Sequence, residues 1–223
     1  MRLSHTLLPR STAHRQPAGT RPDAASQRAR RRSPPARLLG PLLAALLALG
    51  AQTASTTPVR IAGLSFGDAL VHEGTNLQRR GAGLLTYFFI KAYASALYLP
   101  ANVPASAYRS DVHKCLEIAY LVDIKGKDFG PAGEKVLAQT LSAAQMRALR
   151  PQFEAISRAY IDVKKGDRYA LCYAPGRGTT LKHNGRALVT VPGAEFGSVY
   201  YDIWLGPKPV DEDLRDLLLG VSS

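Results

Sequence analysis

Apolar and polar positions change their spacing several times along the chain, and each change marks an element. Apolar runs at 59–66 and 77–84 flank the polar turn His72-Glu73-Gly74-Thr75-Asn76, which predicts two short strands. The segment 86–98 (Thr-Tyr-Phe-Phe-Ile-Lys-Ala-Tyr-Ala-Ser-Ala-Leu-Tyr) is dense in aromatics and free of Gly and Pro, which predicts one long strand rather than a helix. After a Pro-bearing loop at 100–106, residues 115–124 read as a strand ending at Lys125-Gly126-Lys127, with the imperfect alternation of a strand covered on both faces.

The period then lengthens. Leu137, Leu141, Leu149, Phe153 and Ile156 recur at helical spacing and predict helices over 133–144 and 144–160, with Pro151 at a helix start or a kink. Strands follow at 168–173 and 179–182 around Pro175-Gly176-Arg177-Gly178. Asn184-Gly185 between two apolar runs is a hairpin signal, because a type I′ turn needs positive φ at both central residues. Residues 194–205 and 211–219 read as closing helices. Strands, then helices, then a hairpin, then helices make an α+β layout and not alternating βαβ units.

Charge divides the chain in two. The net charge is +12, yet residues 1–57 hold nine arginines, no lysine and one acid, so that segment carries +8 and the remainder only +4. Clustered cations invite a nucleic-acid reading. Here they precede the 13-residue apolar run Leu38–Gly50, the arrangement of a secretory signal. That run is shorter than the roughly 20 residues a membrane span needs. The expectation is a basic segment plus signal peptide over 1–57, one domain over 58–223, a periplasmic or secreted location, no nucleic-acid partner and no membrane span after cleavage.

Cys115 and Cys172 both follow the signal, where an oxidising compartment permits a disulfide if their strands are neighbours. Two unpaired small apolar residues in separate strands is the other reading. The sequence shows neither a Cys-x-x-Cys nor a Cys/His cluster, so no metal or cofactor is expected.

With these elements in place, several landmarks resemble the chalcone isomerase-like proteins, in their exported bacterial branch. They are Gly81-Ala82-Gly83, then Phe88-Phe89-Ile90-Lys91-Ala92-Tyr93 and Ala96-Leu97-Tyr98-Leu99-Pro100, Asp162 to Asp167, Pro175 to Thr179, Asn184-Gly185 and Ile203 to Pro209. The resemblance implies a large antiparallel sheet covered by helices on one face, an open-faced β-sandwich, with a ligand cleft between the layers. It covers plant enzymes that close a chalcone, relatives that bind fatty acids, and members without known catalysis, so activity must be argued from the site.

In the plant enzymes the cleft uses an Arg, a Thr, a Tyr and an Asn. Carried over, the Thr position falls at Tyr93, the Tyr position at Phe129, and the Arg position near Gly81 or, in the register of bacterial relatives, at Leu85. Arg79 or Arg80 would serve instead only if a bulge shifts the strand, since a one-residue slip moves a side chain to the opposite face; otherwise they are a solvated pair. Phe129 keeps the ring but lacks a hydroxyl, which argues against chalcone cyclisation. Tyr87, Tyr93 and Tyr120 remain as phenol donors, and Lys91, in phase with Phe89 and Tyr93, either meets a carboxylate or reaches solvent. Phe196, Tyr200, Tyr201 and Trp204 read as core that walls the cleft. The expected function is non-catalytic binding of a fatty-acid-like or other apolar small molecule. The alternative is an isomerase, an intramolecular lyase acting on a chalcone-like phenolic or enone substrate.

Overall fold

A computed structural model describes residues 57–221. The basic segment and apolar run read as a signal lie outside the described residues. Seven strands form one antiparallel sheet in chain order: β3 (Ala69–His72), β4 (Thr75–Tyr87), β5 (Ile90–Leu99), β6 (Lys114–Tyr120), β7 (Arg168–Ala174), β8 (Gly178–His183) and β9 (Arg186–Val191). A separate hairpin, β1 (Val59–Ile61) and β2 (Leu64–Phe66), precedes it. Helices α1 (Gly126–Leu137), α2 (Ala143–Ala148) and α3 (Arg150–Ala159) lie between β6 and β7, while α4 (Ala194–Val199), α5 (Asp202–Leu205) and α6 (Glu212–Leu219) end the domain. The α+β architecture expected from the sequence is the one observed, with the sheet curling around its helical cover.

Alternation along the strands sorts side chains into two cores. Tyr93, Leu97 and Leu99 of β5, with Leu116, Ile118 and Tyr120 of β6, face the helices and pack with Phe153, Ile156, Phe196, Trp204 and Leu214. Ala94, Ala96 and Tyr98 face the other way, where Phe66, Val59 and Leu64 of the small hairpin cover them. Cys115 and Cys172 are directly opposite on β6 and β7, with Cα atoms 4.1 Å apart, and form a disulfide on this second face. The sequence left their pairing open because it did not show that the two strands are neighbours.

Several boundaries differ from expectation. The segment 59–66 holds two strands, because Ala62 and Gly63 take φ of +50° and +85° and reverse the chain. The segment 86–98 is not one strand: it contains the β4–β5 turn at Phe88-Phe89. Aromatic content predicts extended backbone but is blind to a reversal made without Gly or Asn. The helix expected over 194–205 breaks into α4 and α5, and the first helix begins at Gly126, seven residues before its apolar stripe announces it.

Where signals were chemical, they held. Pro151 stands in the first turn of α3. Asn184-Gly185 turns with φ of +47° and +83°.

The helix layer sits close because α1 presents Gly126, Gly130 and Gly133 to its neighbours. A Cβ on Gly130 would lie 2.3 Å from Ser157 Oγ, and one on Gly133 would lie 2.9 Å from the Ile203 side chain. On the sheet, Gly81 meets the backbone of α6, where a Cβ would come within 2.1 Å of the Leu217 carbonyl oxygen. These contacts set how deep the space between the layers is.

Candidate ligand cavity

Between sheet and helices lies a cavity of about 260 Å³, just below the roughly 300 Å³ at which small-molecule pockets begin. Tyr93, Ile118 and Tyr120 form its floor from β5 and β6. Phe129, Gly133 and Val136 of α1 wall one side, and Tyr200, Ile203 and Trp204 wall the other. Ile124, Asp128, Ala132, Tyr160 and Val210 complete the lining, with Asp128 and Ala132 exposed.

The polar atoms of this wall largely satisfy one another. Trp204 Nε1 donates to the Tyr93 hydroxyl at 3.0 Å, and the Tyr160 and Tyr200 hydroxyls bond each other at 3.1 Å. Phe129 stacks on Tyr160 with ring centres 4.9 Å apart and meets Tyr120 and Tyr169 edge-on. Burial pushes the phenols of Tyr93, Tyr120, Tyr160 and Tyr200 above their ordinary range, because the phenolate would lose its water. They therefore act as neutral hydroxyls at physiological pH. The only ionisable side chain in the lining besides tyrosine is the carboxylate Asp128.

The structure brings Tyr93, Tyr120 and Phe129 together in this cavity and leaves Arg79, Arg80 and Lys91 outside it. A bulge does occur in β4: Arg79 opposes Tyr98 and Gly81 opposes Leu97, so Arg80 is the extra residue. Its effect is to turn Gly81, Gly83 and Leu85 toward the helices. Arg79 stays on the hairpin face, bonded to the Gly67 carbonyl and paired with Asp68, and Arg80 donates to the Pro100 carbonyl. At Gly81 the backbone of α6 occupies the space a side chain would need.

Lys91 is exposed, because a second irregularity at Ala92 breaks the alternation that linked it to Tyr93. Tyr87, the remaining phenol candidate, is exposed at the β4–β5 turn. Tyr200 and Trp204 were legible as wall. Tyr160 was not, since nothing local marks the last residue before a loop as a stacking partner of Phe129.

One cluster invisible to spacing also forms. His72 is buried with its ring nitrogen Nε2 unbonded, close to the sulfurs of Cys115 and Cys172. Those sulfurs are bonded to each other.

A family model described as chalcone isomerase-like matches residues 58–220. The chain belongs to the chalcone isomerase-like family. This chalcone isomerase-like domain is also similar to the crystal structure of an Arabidopsis thaliana fatty-acid binding protein. The TM-score is 0.57 at 16% identity, and the match covers 73% of this chain and 96% of the other. At that identity the likeness concerns the fold. No curated protein matches the sequence.

Proposed function

We propose that this domain binds a fatty-acid-like or other apolar small molecule without transforming it. The observation that carries the reading is the cavity wall: aromatic and aliphatic side chains, with Trp204 bonded to Tyr93 and Tyr160 to Tyr200, and no Lys, Arg or His among the lining residues. Burying apolar ligand surface there is favourable by about 25 cal/mol per Å². The solved relative described as a fatty-acid binding protein supports the same reading. An enolate or phenolate formed during a cyclisation would require a donor or cation aimed at the developing charge; Phe129 offers a ring edge, and Asp128 offers a like charge.

The ligand's polar end would therefore meet neutral phenols at Tyr160 and Tyr200. A carboxylate head would bind best protonated or directed out past Asp128 to solvent. The basic N-terminal segment and the apolar run after it support export, so the ligand would be met outside the cytoplasm.

Native mass spectrometry of the purified full chain, together with titration by a fluorescent fatty acid, tests the proposal. Wild type should carry or acquire one apolar molecule, and Ala132→Trp, which fills the exposed side of the cavity, should lower affinity at least about tenfold with little loss of stability. A wild-type protein that stays empty against acids and alcohols alike would overturn it.

A further inference from the structure

Four chain reversals in this domain place two successive residues at positive φ or include such a pair at the tip of a hairpin. Three end in glycine: Ala62-Gly63, Glu73-Gly74 and Asn184-Gly185, with φ of +50° and +85°, +48° and +75°, and +47° and +83°. The fourth, between β4 and β5, is Phe88-Phe89, with φ of +45° and +66°. Bulky residues in the left-handed region are strained, and the type I′ turn strongly prefers Asn-Gly. The chain thus follows the glycine rule at every such turn but this one.

Strain that local chemistry could easily remove is retained where it serves a site. Here it presents aromatics to solvent. Tyr87, Phe88, Phe89 and Ile90 are 67%, 76%, 100% and 59% exposed, a run of four large apolar side chains on a protruding tip with no pocket of their own.

The charge behind the tip indicates what it meets. Antiparallel pairing of Tyr93 with Tyr120, and of Ala119 with Arg168, puts the β6–α1 loop and the turn before β7 at the same end of the sheet as the tip. At that end Lys125 and Lys164 are paired with Asp162 and Asp123. Lys91, Lys127 and Lys165 are exposed and have no ion-pair partner among the described residues. Aromatic side chains at an apex with lysines set back from it match a bilayer interface, where rings enter the headgroup layer and cations meet anionic lipid. Tyr93 and Tyr120 also line the cavity, so the tip and the cavity share one end of the sheet.

We propose that the β4–β5 tip docks this domain on anionic lipid surfaces by inserting Phe88 and Phe89. The proposal stands independently of what the cavity binds. Among the described residues no helix is long and apolar enough to cross a membrane, and tip insertion needs none.

The test uses the full chain carrying Phe89→Trp and vesicles of phosphatidylglycerol with brominated acyl chains, which report on the tip whatever the N-terminal segment does. The introduced indole should shift to the blue and be quenched, with buried Trp204 little changed. Quenching should weaken at high salt and with Lys91→Glu, and should be much less with phosphatidylcholine alone.

As a second variant, Phe88→Asn with Phe89→Gly relieves the turn. It should unfold at a higher temperature than wild type while losing at least about tenfold in the part of vesicle affinity that salt and Lys91→Glu also reduce. An introduced indole that is neither shifted nor quenched by the anionic vesicles would overturn the proposal. So would a tip-dependent dimer in sedimentation with no quenching, since the tip would then dock a second copy.

Discussion

The indole N–H of Trp204 on α5 donates to the Tyr93 hydroxyl on β5 at 3.0 Å, across 111 residues of sequence and through the wall of the cavity. This bond ties the helix layer to the sheet where the ligand space opens. Trp204→Phe leaves a buried hydroxyl without its donor, and Tyr93→Phe leaves a buried N–H without its acceptor. Each should cost about 1–3 kcal/mol, because an unpaired buried group loses its hydration without compensation. The double variant should cost less than the sum of the two, and a double-mutant cycle by chemical denaturation measures the difference. Strict additivity would mean that the pair is not coupled.

Reduction of Cys115–Cys172 opens a constraint between positions 57 residues apart. Loop-closure entropy puts the resulting loss at about 4 kcal/mol. Unfolding by urea with and without a dithiol should show it, and Cys115→Ala with Cys172→Ala should reproduce the reduced protein.

Gly81→Ala should be among the most damaging single substitutions in the domain. A Cβ there would lie 2.1 Å and 2.5 Å from the carbonyl oxygens of Leu217 and Leu218, which are backbone and cannot rotate away. Either α6 lifts off β4 or the sheet distorts, at a cost of about 3 kcal/mol or more. Gly74→Ala, with positive φ but open space, should cost much less. Thermal unfolding of the two variants side by side decides the ranking.

Stability should rise with pH above about 8 and turn over near 10. Lys114 is fully buried against the rings of Tyr173 and Tyr201, and burial pulls its ammonium down from 10.5 to about 8, partly countered by Asp111. Between about 8 and 10 the unfolded chain holds a proton the native protein has released, so stability increases with pH. Above 10 the sign reverses: the buried tyrosines Tyr93, Tyr120 and Tyr200 keep protons that the unfolded chain loses. Lys114→Met should flatten the rising limb and leave the falling one, as read by denaturation midpoints from pH 7 to 11.

Much of this protein is legible one element at a time. Asn184-Gly185, Pro151 and the stripe through Leu149, Phe153 and Ile156 act within a few residues, so their sequence neighbourhood contains the physics that shapes them. The α+β layout follows from their order. The composition of the cavity was legible too, since Tyr93, Tyr120 and Phe129 are large amphipathic or apolar groups on elements that must face each other.

What only the tertiary structure decided depends on phase and on partners distant in sequence. One extra residue at Arg80 sets which face the rest of β4 shows, and one at Ala92 sets the direction of Lys91. Alternation read without the insertion at Ala92 puts Lys91 on the face of Tyr93, and the bulge that would have had to bring Arg79 or Arg80 inward leaves both outside the cavity. The Cys115–Cys172 bridge, the Trp204–Tyr93 bond and the stacking of Tyr160 on Phe129 join residues 31 to 111 positions apart. Their energies arise only once β6 lies beside β7 and the helices lie on the sheet, an arrangement to which no local stretch of chain holds the key.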